Sequence, residues 1–248
     1  MGVFGVTTFF RIEGVQTYEN YSNCTILLDA SCVIYELLRV ENNSPKCGGN
    51  YMEYEKAVVR AFEKFKKCNI EVIVVLDGAT PAMKKDTKFE RCKNAVNSSQ
   101  LVAWNMLALD VFSNVLERLN IKTIQAPYEA DDVLALLSYC FDLPIMSNDS
   151  DFFFYRHPVL SVNDFLYNDI VNSESDTYLV IETINPLHIR KRYNLPSEML
   201  LLLAPLLIGN DYIPPLQDYR PEWRFFRTRS PRLKHRNFYI QCIFKWIR

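Results

Sequence analysis

Ile70–Gly78 reads IEVIVVLDG, a run of Val, Ile and Leu that does not alternate with polar residues and stops on an acid and a glycine. A short, β-branched, non-alternating run suits a strand buried on both faces of a parallel sheet. Two other stretches have the same design: TILLDAS at Thr25–Ser31, carrying Asp29, and LPIMSNDSD at Leu143–Asp151, carrying Asp149 and Asp151. Between them the spacing turns helical. Tyr54, Val58, Ala61, Phe62 and Phe65 form one stripe of a helix over Tyr54–Cys68, with Lys and Glu opposite. Leu101–Leu119 has the same character and IKTIQAP follows as a strand; Glu129–Tyr139 is a helix with Val133, Leu134, Leu136 and Leu137 inward. Strand alternating with helix predicts an α/β fold, a mainly parallel central sheet flanked by helices on both faces. In such sheets ligands sit beyond the carboxyl ends of the strands, where these runs deliver their acids.

The rest of the chain is less regular. VLSVNDFLY and TYLVIETI, between Val159 and Ile184, read as further strands or a hairpin, and Pro196–Leu207 as a helix ending at Gly209. Beyond it the expected organisation is a domain over residues 1–216 and a tail over 217–248 without clean periodicity. That tail carries nine Lys/Arg against two Asp/Glu, although the whole chain has a net charge of -1. A basic tail can meet a polyanion or fold back on an acidic body.

Composition removes several classes. The chain has 248 residues, 49% of them hydrophobic and only 7 Gly, which is globular rather than disordered or fibrous. Its seven cysteines include no CxxC and no Cys/His cluster, so free thiols are expected, with neither a disulfide frame nor zinc. The opening MGVFGVTTFF lacks the basic and apolar regions of a signal peptide, and the longest apolar run, Leu200–Ile208, is too short for a bilayer. An intracellular protein with no membrane segment is expected.

Seven acids concentrate the chemistry: Asp29, Asp77, Glu129, Asp131, Asp149, Asp151 and Asp211. Each alone has a structural reading. Asp29 and Asp149 can cap helices, Asp77 can open the Asp77-Gly78 turn, and Glu129 with Asp132 can favour a helix N-terminus. Gathered in one crevice, however, carboxylates cannot all stay ionised without positive compensation. An oxygen-only set favours a hard cation, Mg²⁺ or Mn²⁺. Divalent ions held by carboxylates serve phosphoryl transfer and hydrolysis, so a phosphate ester is the expected substrate. In MKKDTKFERCK, Lys84, Lys88 and Arg91 recur at spacings of four and three, one helical face suited to holding phosphates or simply to meeting solvent.

Taken in order, Gly2–Gly5, Asp29, VLDG at Val75–Gly78, APYEAD at Ala126–Asp131, SNDSD at Ser147–Asp151 and IGNDY at Ile208–Tyr212 resemble the PIN-like nucleases of the flap endonuclease superfamily. Within it, GGNYMEYEKAVVRAFEKF and CNIEVIVVLDGA are most similar to the asteroid-homologue proteins. The resemblance implies a PIN-like fold and a metal-dependent, structure-selective DNA endonuclease using two Mg²⁺ or Mn²⁺ ions. It implies that the seven acids ligate metal or support its water, that Lys84 and Arg91 steer the phosphate, and that Tyr35 stacks on a base; Lys88, by its spacing on the same helical face, is the expected substrate-binding residue beside them. An inward, core-packed Tyr35 is the structural alternative. DNA is the implied partner, with DNA-repair proteins and a nuclear location. Two departures shape the expected substrate: the stretch between Asp77 and Glu129 is short, and the Gly-rich motif that grips duplex DNA is absent after IGNDY. Single-stranded or overhanging DNA is therefore expected, and the tail is expected to be an atypical or shortened end. Two other readings stand beside the nuclease. One is a catalytically weak PIN-like scaffold that binds nucleic acid or a protein. The other is a phosphatase of the haloacid dehalogenase type, suggested by Asp149-Ser150-Asp151, although that motif normally sits on the first strand.

Overall fold

A computed structural model describes residues 2–3, 5–40, 50–85, 89–90, 93, 107–173, 176–210 and 235–248. Lys88, Arg91, Asp211 and the first residues of the expected Leu101–Leu119 helix lie outside them. The chain divides into two compact units: Tyr18–Asn148 with Leu160–Glu182, and Met1–Thr17 with Asp149–Val159 and Thr183–Arg248.

The first of these is built on the sheet. Its strands are β1 (Thr17–Tyr21), β2 (Thr25–Asp29), β3 (Glu71–Leu76), β4 (Lys122–Gln125), β5 (Ile145–Met146), β6 (Val159–Leu160), β7 (Val171–Asn172) and β8 (Thr177–Ile184). They lie in the order β1-β8-β6-β5-β2-β3-β4, with β7 antiparallel to β8. β2 is parallel to β3, with Asp29 opposite Val75, and parallel to β5, with Leu28 opposite Met146; β3 is parallel to β4. The chain thus steps from β2 to β3 to β4, then returns to the far side of β2 as β5. That reversal is a topological switch point, and it falls beside Asp29.

Helices cover both faces, as the parallel sheet requires. They are α2 (Ala30–Val40), α3 (Tyr51–Lys67), α4 (Ala108–Arg118), α5 (Ala130–Phe141) and α6 (Val162–Tyr167), with α1 (Val6–Glu13) preceding them in the chain. On α3 the buried residues are Tyr54, Ala57, Val58, Ala61, Phe62 and Phe65, the helical stripe written in the sequence. They share a core with Ile26 and Leu28 of β2, Val72 and Val74 of β3, and Phe112 of α4. Leu27 and Val75 alternate to the opposite face, where α5 buries Ala130 and Leu134.

VLSVNDFLY does not form the expected strand or hairpin throughout. Pairing stops at Leu160, and Ser161 caps α6 by accepting the Asp164 N–H at 3.2 Å. A side-chain cap directly after an apolar pair redirects the chain into helix. TYLVIETI forms a strand as read, β8.

The second unit is an aromatic-cored helical assembly of α1, a 3₁₀ turn at Ser150–Phe154, α7 (Pro186–Tyr193), α8 (Glu198–Ile208) and α9 (His235–Ile247). Phe10 packs against Phe153 and Phe154 with ring centroids at 6.1 and 6.2 Å, and Phe244 stacks on Tyr193 at 4.4 Å. The tail therefore contains a regular element that the sequence reading missed. Ile240, Ile243, Phe244 and Ile247 are buried at i, i+3, i+4 and i+7, a periodicity hidden by the charged residues around it.

Among the described residues no helix is long and apolar enough to cross a membrane. The five described cysteines are free thiols.

Candidate active site

In the sheet unit, Asp29 ends β2 and is 5% exposed. Its Oδ1 accepts the Cys32 N–H at 3.2 Å, a helix cap for α2, and its Oδ2 accepts the Ser147 hydroxyl at 2.8 Å from beyond β5. Burial pushes the Asp29 carboxyl above its ordinary range; the Cys32 and Ser147 hydrogen bonds pull it back, and the neighbouring charge of Asp77 raises it again. Burial and the charge on Asp29 likewise push the Cys32 thiol well up, so it is an inert thiol.

Asp77 follows β3 directly. Its Oδ1 accepts the Ala130 N–H, the first of α5, at 2.7 Å, and its Oδ2 accepts the Ser31 hydroxyl from α2. The open N–H groups at a helix start satisfy a carboxylate there. Asp77 thus ties α2, β3 and α5 together, a larger role than opening a turn. The adjoining backbone is clamped as well, with Gly78 N–H donating to the Tyr128 carbonyl and Ala79 N–H to the Pro127 carbonyl. A Cβ on Gly78 would lie 2.0 Å from the Ala126 oxygen, so only glycine permits this approach.

Glu129 precedes α5 but makes no capping hydrogen bond. Its Oε2 instead accepts from Lys84 Nζ at 2.6 Å, with side chains 22% and 11% exposed. Lys84 closes a 3₁₀ turn at Ala82–Lys84, so it is not on the expected α-helical face. Because both groups are largely shielded, Lys84→Met leaves a carboxylate without its cation and is expected to cost about 1–3 kcal/mol. Thermal unfolding checks it: Lys84→Met/Glu129→Gln should unfold well above the midpoint expected from adding the two single losses. Asp131 lies in the first turn of α5. Tyr35 is 45% exposed on α2, which rules out the packed-core alternative.

In the other unit, Asp149 caps the Ser150–Phe154 turn by accepting the Asp151 N–H at 3.2 Å, so its helix-capping reading holds. Ser150 Oγ donates to the Val3 carbonyl at 3.1 Å, tying the turn to the N-terminal segment. Gly2 backs the turn at φ 48, where a Cβ would lie 2.0 Å from Asp149 Oδ1. Gly2→Ala is accordingly expected to displace Asp149 and to strain the backbone at a positive φ, lowering any DNA cleavage about tenfold or more and lowering the unfolding midpoint with it. Cleavage and melting of the same preparation check this.

The structure therefore brings together Asp29, Asp77, Lys84 and Glu129 along the strand ends, and places Asp149 and Asp151 on one turn. Ser31 and Ser147 support them and were not singled out in the sequence, while Gly78, read there as a turn residue, supports them by its close backbone approach. Ser147 stands inside the quoted SNDSD, and a hydroxyl directly after a buried strand was the available signal. The donors are carboxylate oxygens, and a buried Asp29 with its pKa raised in part by the charge of the exposed Asp77 is the chemistry a hard cation relieves. Among the described residues, no three His, Cys, Asp or Glu converge closely enough to form a metal cage.

Residues 1–98 match the XPG N-terminal domain family. The chain is 27% identical over 230 residues to the "Single-strand DNA endonuclease ASTE1" of Danio rerio, covering 86% of this chain and 33% of the relative. It is 26% identical over 168 residues to "Protein asteroid" of Drosophila melanogaster, covering 63% of this chain and 19% of that protein. The fold is similar to the catalytic core of Rad2 in complex with DNA substrate, with a TM-score of 0.61 at 22% identity, over 86% of this chain and 65% of that one. The chain spans about a third of the length of the ASTE1 relatives it matches.

Proposed function

We propose that this chain, an asteroid-type member of the flap endonuclease superfamily, is a nuclease domain that hydrolyses DNA phosphodiesters in single-stranded or overhanging strands with divalent metal ions. The observation that carries the reading is the meeting of Asp29 and Asp77 at the switch point of a parallel sheet, one buried and raised in pKa by burial and by the other's charge. Asp29, Asp77, Glu129, Asp131, Asp149, Asp151 and Asp211 are the proposed ligands, directly or through water, of two Mg²⁺ or Mn²⁺ ions. Bound ions would make a water nucleophilic at neutral pH and neutralise charge on the phosphate.

The chain's own groups do the rest. Ser147 and the Cys32 N–H fix Asp29; Ser31 and the start of α5 fix Asp77. Such fixed carboxylates need little rearrangement when a cation arrives, which is preorganisation. Lys84 and Arg91 supply positive charge to the phosphate as it reacts, Lys88 binds the strand, and Tyr35 presents an exposed ring on which a base can stack. Action on DNA in the nucleus, beside DNA-repair proteins, follows from the same reading.

Fluorescently labelled single-stranded, overhang and blunt duplex DNA, incubated with purified protein and Mg²⁺, tests it. Cutting of the first two is expected, lost in EDTA and in Asp149→Ala. Cutting that persists in Asp149→Ala would overturn the assignment.

Two observations favour a second reading, a PIN-like scaffold that binds nucleic acid or protein without cutting. Glu129 is neutralised by Lys84, and among the described residues no complete metal cage is formed. DNA binding by the wild type without any cutting at millimolar Mg²⁺ or Mn²⁺ would support it.

A further inference from the structure

Arg39 lies four residues after Tyr35 on α2, which places both on one helical face. Its Nη2 approaches the Tyr167 hydroxyl at 3.5 Å. Tyr35 and Tyr167 are 45% and 48% exposed, and the Arg39 side chain is 48% exposed. Two rings and a guanidinium thus share a surface in the sheet unit, on the helix that begins directly after Asp29. Tyr35 stands six residues beyond Asp29, about 9 Å along the helix axis, and Arg39 ten residues, about 15 Å.

The surroundings hold this group still. Glu36, 8% exposed, takes the edge of the guanidinium, accepting from Nε and Nη2 at 2.8 Å each. Arg39 is pushed above its ordinary range first by that hydrogen bond, then by the charge of Glu36 and more weakly by Tyr167 and Tyr35. The last turn of α6 is pinned by Lys64, whose Nζ donates to the carbonyls of Phe165, Leu166 and Asn168 at 3.2, 2.9 and 2.9 Å. Phe65 stacks on Phe165 with ring centroids at 4.1 Å. The backbone that carries Tyr167 is anchored while its side chain meets solvent.

We propose that Tyr35, Arg39 and Tyr167 form a stacking track for the unpaired bases of a DNA strand, leading along α2 away from Asp29. The ligand class follows from what is available. Glu36 neutralises much of the charge of Arg39 and takes its Nε and Nη2 edge, which weakens it as a phosphate ligand. The flat face of the guanidinium and the two tyrosine rings remain, and these stack on any base without reading sequence. The interior base pairs of a duplex, stacked on each other, cannot use such a surface. The track rests on the nuclease reading and adds Arg39 and Tyr167 as strand-binding residues.

Fluorescence anisotropy of a labelled single-stranded oligonucleotide in EDTA, which prevents metal-dependent cutting, tests the track. Arg39→Ala and Tyr167→Ala are each expected to weaken binding about fivefold to tenfold, with Tyr167→Phe within about twofold of wild type. The ratio of wild-type to variant affinity should stay constant between about 50 and 200 mM salt, because stacking releases no counterions. An oligonucleotide stripped of its bases should bind wild type and both alanine variants alike. Unfolding midpoints near wild type confirm that the variants fold. Equal losses on the base-free strand would reveal a phosphate contact and overturn the track, as would unchanged binding by both alanine variants. If the wild type cuts single strands while the alanine variants bind normally, only the track fails. If the wild type neither binds nor cuts them, the nuclease reading fails together with it.

Discussion

Replacing Asp29 with asparagine is expected to abolish DNA cleavage and, in the same protein, to raise the unfolding temperature at neutral pH. The carboxylate is buried, close to Asp77, and has its pKa raised by burial and by that neighbour's charge. A carboxyl whose pKa is higher folded than unfolded binds its proton more tightly when folded. Its share of stability is therefore full below its ordinary value of 3.8 and is lost as the pH rises through the folded-state value. At pH 7 the ionised group is a net cost. Asparagine removes that charge and keeps the polar contacts: its carbonyl accepts the Cys32 N–H, and the Ser147 hydroxyl can turn to accept from its amide. Activity falls because a neutral amide no longer attracts a cation, and a loss of about a hundredfold or more is expected. Melting curves of both proteins from pH 7 down to pH 4 check the stability arm, since the gap between them should narrow as acid protonates Asp29. A variant that melts below wild type at pH 7 would contradict the electrostatic account.

Replacing Gly78 with alanine is expected to lose stability and activity together. The added Cβ would sit 2.0 Å from the Ala126 oxygen and 2.8 Å from the Pro127 carbonyl, all backbone atoms that no side-chain rotation can move aside. Separating those two backbones breaks the Gly78 N–H to Tyr128 and Ala79 N–H to Pro127 hydrogen bonds. Overpacking of this kind costs about 1–3 kcal/mol, and two lost backbone hydrogen bonds add about 1–3 kcal/mol more. At about 2–4 °C per kcal/mol for a chain of this size, the midpoint should fall by roughly 4–24 °C. Asp77 and Glu129 flank the clamp on either side, so cleavage should drop even at temperatures where the variant is folded. Thermal unfolding and single-strand cleavage at 20 °C or so measure both; a midpoint within about a degree of wild type would remove the clamp from the account.

The strands that carry the acids were legible because burial on both faces forces an unbroken apolar run, and IEVIVVLDG and TILLDAS have one. The α3 stripe was legible for the same reason in helical spacing. VLSVNDFLY misled because its apolar residues fit a strand, while one hydroxyl, Ser161, decided for helix by capping it. The terminal helix was hidden because its buried Ile and Phe positions are interleaved with Lys, Arg and Trp. Within the site, the acids stood out by their place at strand ends, but their partners did not. The Ser147 bond to Asp29 and the Lys84 bond to Glu129 join residues 118 and 45 positions apart, and local spacing carries no trace of such pairs. Gly78 was read as a turn residue; its true constraint is another stretch of backbone, which only the folded chain reveals.

Binding of Mn²⁺ tests the central claim most directly, because it asks whether the acids form a cation site without requiring the right DNA. In a calorimetric titration, wild type is expected to take up one or two ions at or below millimolar concentration, with Asp29→Asn and Asp77→Asn each losing most of that heat. Wild type that binds no Mn²⁺ at millimolar concentration would contradict the metal-dependent nuclease and leave a scaffold in its place.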